Sequence, residues 1–148
     1  RVTGLFASTT YYFVVRAKDE AGNVDNNTAE VSATTQTPPD TTPPTFGGAT
    51  SATAVSSSGI DLTWNAATDN VTASSNIVYL IYLSTTSGGQ NFQTPNYTTA
   101  AGATSYAVTG LNSSTTYYFV VRAKDEAGNV DNNTVEVSAT TLSLFSMH

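Results

Sequence analysis

The chain has 148 residues, 39% of them hydrophobic, and carries a net charge of −6. That charge repels nucleic-acid phosphates and anionic lipid, and no apolar run approaches the roughly 18 residues of a membrane span, so neither nucleic-acid binding nor membrane insertion is expected. The chain contains no cysteine, which excludes disulfides, thiol nucleophiles and thiolate metal sites.

The first feature along the chain is a segment that occurs twice. Residues 3–35 match residues 109–141 in 30 of 33 positions, at an offset of 106 residues (109 minus 3). This period is too long for a solenoid, whose repeats have roughly 20 to 50 residues. It predicts an array of whole domains. Residues 1–36 would then hold only the last part of one domain, with residue 1 an internal cut in a longer protein.

A proline-rich spacer is predicted at residues 37–44. Its four prolines, at positions 38, 39, 43 and 44, remove backbone donors and favour the extended polyproline conformation. Such a segment is stiff and rises about 3 Å per residue. We therefore expect a stiff connection between the partial copy and the region that follows.

Residues 45–141 contain short strand candidates separated by turn residues. In Ile60–Trp64 the apolar residues alternate with Asp61 and Thr63, the period of two expected of a strand with one buried face. Counting the segment after Pro44, seven such candidates lie within about one hundred residues. The pattern predicts an all-β protein built on a seven-stranded antiparallel β-sandwich.

Several spaced motifs in this region are similar to those of one known family. After Pro44 they are, in order, Leu62–Trp64 (LTW), Tyr79–Tyr82 (YLIY) and Gly110–Asn129 (GLNSSTTYYFVVRAKDEAGN). Together they resemble a fibronectin type III domain, particularly the bacterial kind. The resemblance implies an immunoglobulin-like sandwich over residues 45–141. Its expected core residues are Trp64, Tyr79, Ile81, Leu111, Tyr117, Phe119 and Val121.

The resemblance also implies roles for the repeat and its corner. Tyr117 would form a tyrosine corner, its hydroxyl tying the crossover near Leu111 to strand F. Residues 1–36 would be the end of strand E with strands F and G of a preceding domain. Such a half-sandwich leaves its apolar core face exposed to water and is not expected to fold alone. Residues 142–148 would be a tail, either an interdomain segment or truncation scar, or an apolar segment that docks on a neighbour.

One outer face of the sandwich is predicted to be apolar. Tyr117, Phe119 and Val121 are expected to face the core. Tyr118 and Val120 alternate with them along the strand and therefore point outward. On the neighbouring strand, which holds Tyr79–Tyr82, the family resemblance places Leu80 and Tyr82 on the outer face as well. These four residues would form an exposed stripe able to contact a protein, or sugar rings that stack on tyrosine. The alternative is that they pair across strands and only stabilise the sheet.

Acidic loop residues are the candidates for a metal site. Asp125 and Asp131 lie in the loop Lys124–Asn133, and Asp69 could approach from the opposite loop. Carboxylate oxygens are ligands that Ca²⁺ accepts, but this loop lacks the regular spacing of a calcium loop. A solvated turn is the favoured interpretation, and no other cofactor is expected.

The sequence shows no constellation of catalytic residues. The one histidine is His148 at the end of the chain, there is no cysteine, and the pattern implies no pocket around the carboxylates. We therefore expect that the chain is not an enzyme.

Two functions are compatible with these features. The first is a non-catalytic structural or adhesive repeat of a larger exported bacterial surface or extracellular protein, one able to form filaments. Its partners would be neighbouring fibronectin type III repeats, further copies of itself, another extracellular protein or a polysaccharide. The alternative is an accessory spacer or binding module of a secreted polysaccharide-degrading enzyme, because similar bacterial domains often lie between catalytic and sugar-binding domains. Both place the chain outside the cell or on its surface.

Overall fold

The computed structural model describes residues 1–145, so residues 146–148 of the predicted tail lie outside the described residues. The described part is all-β, with nine strands and one short 3₁₀ helix, Ser74–Asn76. The strands are β1 (Thr10–Val14), β2 (Glu30–Thr34), β3 (Ala49–Ala54), β4 (Ile60–Trp64), β5 (Val78–Ser84), β6 (Tyr97–Thr98), β7 (Ser105–Val108), β8 (Thr116–Lys124) and β9 (Glu136–Thr140). Within this part, no helix has the length and apolar character needed to cross a bilayer.

The chain divides into two units, Arg1–Pro39 and the part that begins at Asp40. Residues 35–44, which include the whole proline-rich segment 37–44, form neither strand nor helix. The second unit is a sandwich of two antiparallel sheets, one with strand order β3-β4-β7 and one with order β6-β5-β8-β9. In β4 the apolar residues are buried and the alternate residues are exposed, so the strand faces the second sheet with one side.

The core of the second unit is built around Trp64 and Tyr79, whose ring centroids are 5.2 Å apart. The Trp64 indole N–H donates to the Ala103 carbonyl at 2.9 Å, and the Tyr79 hydroxyl accepts from the Ala67 backbone N–H at 2.8 Å. An unpaired buried polar atom would cost about 1–3 kcal/mol, so these bonds allow both rings to be buried. The other expected core residues lie in or against the same cluster: Ile81, Leu111, Tyr117, Phe119 and Val121.

Tyr117 fixes the crossover that leads into β8. Its hydroxyl accepts a hydrogen bond from the Asn112 backbone N–H at 3.0 Å, next to Leu111. The Thr141 hydroxyl donates to the Asn112 carbonyl and accepts from the Thr115 backbone N–H. The crossover, the start of β8 and the end of β9 are therefore joined by side-chain hydrogen bonds at one end of the sandwich.

The first unit is one antiparallel pair, β1 with β2. It repeats the local structure of β8 and β9: the Tyr11 hydroxyl accepts from the Phe6 backbone N–H at 3.0 Å, as Tyr117 does from Asn112. Burial differs, because Val15 is 81% exposed whereas its counterpart Val121 is fully buried. The same residues thus form the same hairpin in both units, and only the second hairpin is covered by another sheet.

Tyr117→Phe tests the corner. Loss of the hydroxyl removes one part-buried hydrogen bond, so we expect the free energy of unfolding to fall by about 1 kcal/mol. Urea denaturation followed by Trp64 fluorescence measures it. Tyr11→Phe deletes the same bond at the same place in the repeat and should leave this transition unchanged, because Trp64 lies in the second unit. Equal losses in the two variants would contradict the assignment.

Candidate functional site

The predicted interaction face lies on the outer side of the four-stranded sheet. Pairing of β5 with β8 places Tyr82 opposite Val120 and Ser84 opposite Tyr118, so the register brings the four predicted residues together. However, Leu80, Tyr82 and Val120 are only 7%, 2% and 1% exposed, and Tyr118 is partly buried. The prediction of an exposed stripe is therefore wrong.

The connection between β5 and β6, residues 85–96, covers this face and is called the covering loop below. Its Phe92 ring meets Tyr82 edge to face, with centroids 5.1 Å apart. The Arg122 guanidinium carbon lies 3.6 Å from the Phe92 centroid and 5.8 Å from that of Tyr82. A cation over an aromatic face is attracted by the ring quadrupole. Phe92 and Arg122 thus occupy the surface that the stripe would have offered to a ligand.

Glu136, on β9, holds the tip of the covering loop. Its carboxylate accepts hydrogen bonds from the Ser87 hydroxyl at 2.5 Å, the Gly88 backbone N–H at 2.8 Å and the Gln90 side-chain amide at 2.8 Å. These three donors hold the pKa of Glu136 below its ordinary value of 4.5. Gln90 also donates to the Tyr118 carbonyl at 3.2 Å, so the tip is bonded to both β8 and β9.

Sequence reasoning missed the covering loop. Between β5 and β7 only Tyr97 and Thr98 form a strand, β6. The available signal was Phe92, a large apolar residue in an otherwise polar loop. The sequence did not show which residues Phe92 contacts, because Tyr82 and Arg122 lie on two other strands.

The expected calcium ligands do not all come together. Asp69 and Asp125 lie close to each other, and Asp40 joins them, with ligand oxygens of all three within 4.8 Å of one another. Asp131 lies outside this group and accepts from the Ala123 backbone N–H and from Asn133 in its own turn. Asp40 was not foreseen, because it lies in the predicted spacer.

Hydrogen bonds account for the positions of the Asp125 and Asp69 carboxylates. Burial of Asp125, which is 3% exposed, opposes its ionisation, but the side chain and backbone N–H of Asn129 donate to it and keep its pKa below the ordinary value. Asp69 accepts from the backbone N–H groups of Val71 and Thr72. The two acids therefore shape turns. Asp125 itself is buried, and the next three residues of its turn, Glu126, Ala127 and Gly128, are exposed.

The described part of the second unit shows neither a pocket nor a cluster of open aromatic rings. Residues 1–145 enclose no pocket. Among the aromatic residues described in the second unit, Phe145 alone belongs to the exposed class, at 90%. Sugar rings stack on open aromatic faces, and in the described part of the second unit the aromatic side chains other than Phe145 are buried or half-buried.

Residues 42–140 match the fibronectin type III domain family. The chain belongs to this family. Its sequence is 43% identical to exoglucanase B of Cellulomonas fimi over 142 residues, which are 94% of this chain and 12% of that protein. It is 39% identical to chitinase A1 of Niallia circulans over 142 residues, 95% of this chain and 18% of that protein. Endoglucanase B of Cellulomonas fimi is 40% identical over 146 residues, 98% of this chain and 13% of that protein.

The chain therefore spans less than a fifth of the length of these three relatives. The family that it matches is a non-catalytic module, and no catalytic domain is evident in this fibronectin type III chain.

Solved structures show the same fold. The fibronectin type III domain of human fibronectin type III domain containing protein 3 has a TM-score of 0.52 at 24% identity, covering 70% of this chain and 91% of that one. β-1,2-Glucanase from Parabacteroides distasonis has a TM-score of 0.57 at 21% identity, and the match covers 83% of this chain and 16% of that one. At these identities the likeness concerns the fold alone, and the predicted fibronectin type III fold is confirmed.

Glu136 should make the covering loop sensitive to acid. Because bonds present only in the folded state lower its pKa, its stabilising contribution is complete above the ordinary pKa of 4.5 and is lost as the pH falls through the folded value. Glu136→Gln removes this titrating group, so the free energy of unfolding should fall less steeply below pH 4.5 than in the parent chain. Urea denaturation at a series of pH values measures the slope. Glu30→Gln is the matched control, since Glu30 is the exposed counterpart of Glu136 in the first unit. If this variant reduced the slope of the free energy of unfolding against pH by the same amount, the assignment of the acid sensitivity to Glu136 would be contradicted.

Phe92→Ala should uncover the outer face. Truncating a fully buried phenylalanine costs about 3–5 kcal/mol, so for this half-buried ring we expect a loss of about 2 kcal/mol. Thermal denaturation gives the loss of stability, and increased binding of a hydrophobic dye reports the uncovered Tyr82 and Val120. Phe145→Ala removes an equally large but exposed ring and should change neither. Unchanged stability in Phe92→Ala would show that the loop does not hold the face closed.

Proposed function

We propose that this chain is an accessory spacer module of a polysaccharide-degrading enzyme. The observation that carries the proposal is the similarity to exoglucanase B, chitinase A1 and endoglucanase B, which extends through 94–98% of the chain. That similarity runs beyond residues 42–140 into the first unit. We therefore propose a tandem arrangement, with residues 1–36 the last strands of a preceding fibronectin type III repeat and residues 37–44 the spacer before the complete domain, 45–141.

The surface of the second unit supports spacing over binding. The stripe at Tyr82 and Val120 was the main reason to expect adhesion, and the covering loop buries it. What remains is a rigid sandwich whose longest strand, Thr116–Lys124, is about 30 Å long at about 3.3 Å per residue. A body of this length, joined through a proline-rich segment, keeps the parts on either side of it apart. The adhesive interpretation thus has less support than the spacer.

The proposed site of action is outside the cell. Chitin and polymeric glucans are too large to enter a cell, so an enzyme that degrades such a polymer meets its substrate outside. The proposed partners are the neighbouring repeat and the enzyme's own domains.

Sedimentation with insoluble cellulose and chitin tests whether the module spaces or binds. We expect the chain to stay in the supernatant with both polymers, because the aromatic rings of its second unit, Phe145 apart, are buried or half-buried. Saturable retention on either polymer would show a binding module and overturn the spacer proposal.

A second measurement tests spacing itself. The chain is inserted between a catalytic domain and a cellulose-binding domain and compared with a Gly/Ser linker of equal length, whose span grows only with the square root of its length. Hydrolysis of the insoluble polymer should be faster with the chain, while hydrolysis of a soluble oligosaccharide stays equal. Equal rates on the insoluble polymer would contradict the proposal.

A further inference from the structure

We infer that Asp40, Asp69 and Asp125 form a binding site for a calcium ion. The three residues come from separate segments of the second unit: Asp40 from the proline-rich segment, Asp69 from the connection between β4 and β5, and Asp125 from the turn after β8. One carboxylate oxygen of each lies within 4.8 Å of those of the other two. This inference does not depend on the proposed spacer function.

A buried carboxylate oxygen without a partner is the observation that points to a ligand. Asp40 Oδ1 accepts a hydrogen bond from the Thr42 backbone N–H at 3.1 Å, whereas Asp40 Oδ2 is buried from solvent and accepts none. Among the described residues, it is the only buried side-chain oxygen or nitrogen left in this state. A charged oxygen that has lost its water and gained no donor is costly, so a cation beside it would be strongly favoured.

Asn129 brings Asp40 and Asp125 together without satisfying this oxygen. Its side-chain amide donates to the Asp40 backbone carbonyl at 3.0 Å and to the Asp125 carboxylate at 2.9 Å. An amide NH₂ group has two hydrogens to donate, so both are used. The fold therefore holds the Asp40 side chain against another acid and leaves its buried oxygen for a different partner.

The second unit has little positive charge to offset the three carboxylates. Residues 40–148 contain seven Asp or Glu residues and two Lys or Arg residues, Arg122 and Lys124. Arg122 is directed to the carbonyls of Asn132 and Asn133 and to the Phe92 ring. Like charges held this close repel each other, and a divalent cation between them turns that repulsion into attraction.

Calcium is the cation that fits these ligands. It takes six to eight oxygen ligands at about 2.3–2.6 Å, so two oxygens on one ion are at most about 5.2 Å apart. The three carboxylates satisfy that limit, and water can fill the other positions because Asp40 and Asp69 are only partly buried. Mg²⁺ demands a stricter octahedral geometry. Zn²⁺ is bound mostly by histidine and cysteine, and the group contains neither.

A bound ion would stabilise the folded second unit. Asp69 and Asp125 are 56 residues apart (125 minus 69) and Asp40 precedes Asp69 by 29 (69 minus 40), so only the fold brings the three together. A ligand that binds the folded chain and not the unfolded chain shifts the equilibrium towards folding. The ion would also hold the end of the proline-rich segment, at Asp40, on the loops of the sandwich.

Titration of the chelator-treated chain with CaCl₂ in a calorimeter tests the site. We expect one Ca²⁺ per chain, with a dissociation constant of about 10⁻⁴–10⁻³ M as in other extracellular modules. At these affinities, about 10 mM CaCl₂ should raise the equilibrium constant for folding about 10- to 100-fold. Urea denaturation followed by Trp64 fluorescence measures this gain, and NaCl of equal ionic strength corrects for screening.

Asp40→Asn is the decisive variant, because it removes the charge and keeps an oxygen for the Thr42 N–H. In chelator it should be at least as stable as the parent chain, since one of three like charges is gone, whereas CaCl₂ should stabilise it at least tenfold less. Asp69→Asn should also lose calorimetric binding. Asp61→Asn is the matched control: it removes the same charge from an exposed position on β4 and should keep the full gain.

Three results would overturn the inference or its choice of ion. If CaCl₂ gave the parent chain neither heat of binding nor added stability at pH 7, the carboxylates would be satisfied without a cation, for example by a shared proton. Equal stabilisation of the parent, Asp40→Asn and Asp61→Asn chains would show general screening of negative charge only. Binding of MgCl₂ as tight as that of CaCl₂ would overturn the assignment to calcium.

Discussion

The structure depends on one constraint, that the apolar face of a β-hairpin must be covered by a second layer. Nearly the same residues form two hairpins in this chain, β1 with β2 and β8 with β9, and a second sheet covers only the latter. Both hairpins make their ladder and corner hydrogen bonds, yet Val15 is exposed in one and Val121 is fully buried in the other. On folding, backbone groups exchange hydrogen bonds to water for hydrogen bonds to one another, so the net gain per bond is small. The covering sheet, with Trp64 and Tyr79 between the layers, is therefore what gives the second unit its stability.

The same constraint acts on the outer face of the four-stranded sheet. Tyr82 and Val120 point away from the core, and the covering loop closes over them through Phe92. The polar bonds to Glu136 fix the tip of that loop. Two layers and a loop thus leave the second unit with little exposed aromatic surface, which is the property that favours a spacer over an adhesive module.

The sequence predicted the fold better than it predicted the candidate site, for a physical reason. Alternation in Ile60–Trp64 and the position of Tyr117 reflect local geometry, since period two decides which side of a strand faces the core. Whether the other side meets water depends on contacts from distant residues, here Phe92 and Glu136. The same limit applied to the acids: Asp40 joined Asp125 through the fold, and Asp131 was taken up by its own turn.

Near-identity between the two hairpins separates what a hairpin forms by itself from what depends on its cover. Their strands have the same residues, and the hydroxyls of Tyr11 and Tyr117 accept the same backbone hydrogen bond. The hairpin conformation is therefore encoded locally. Burial of its apolar face is not, because Val121 is buried against residues of other strands whereas Val15 is exposed. A repeated segment can thus predict local structure in two places without predicting equal stability, since apolar burial is the dominant favourable term in folding.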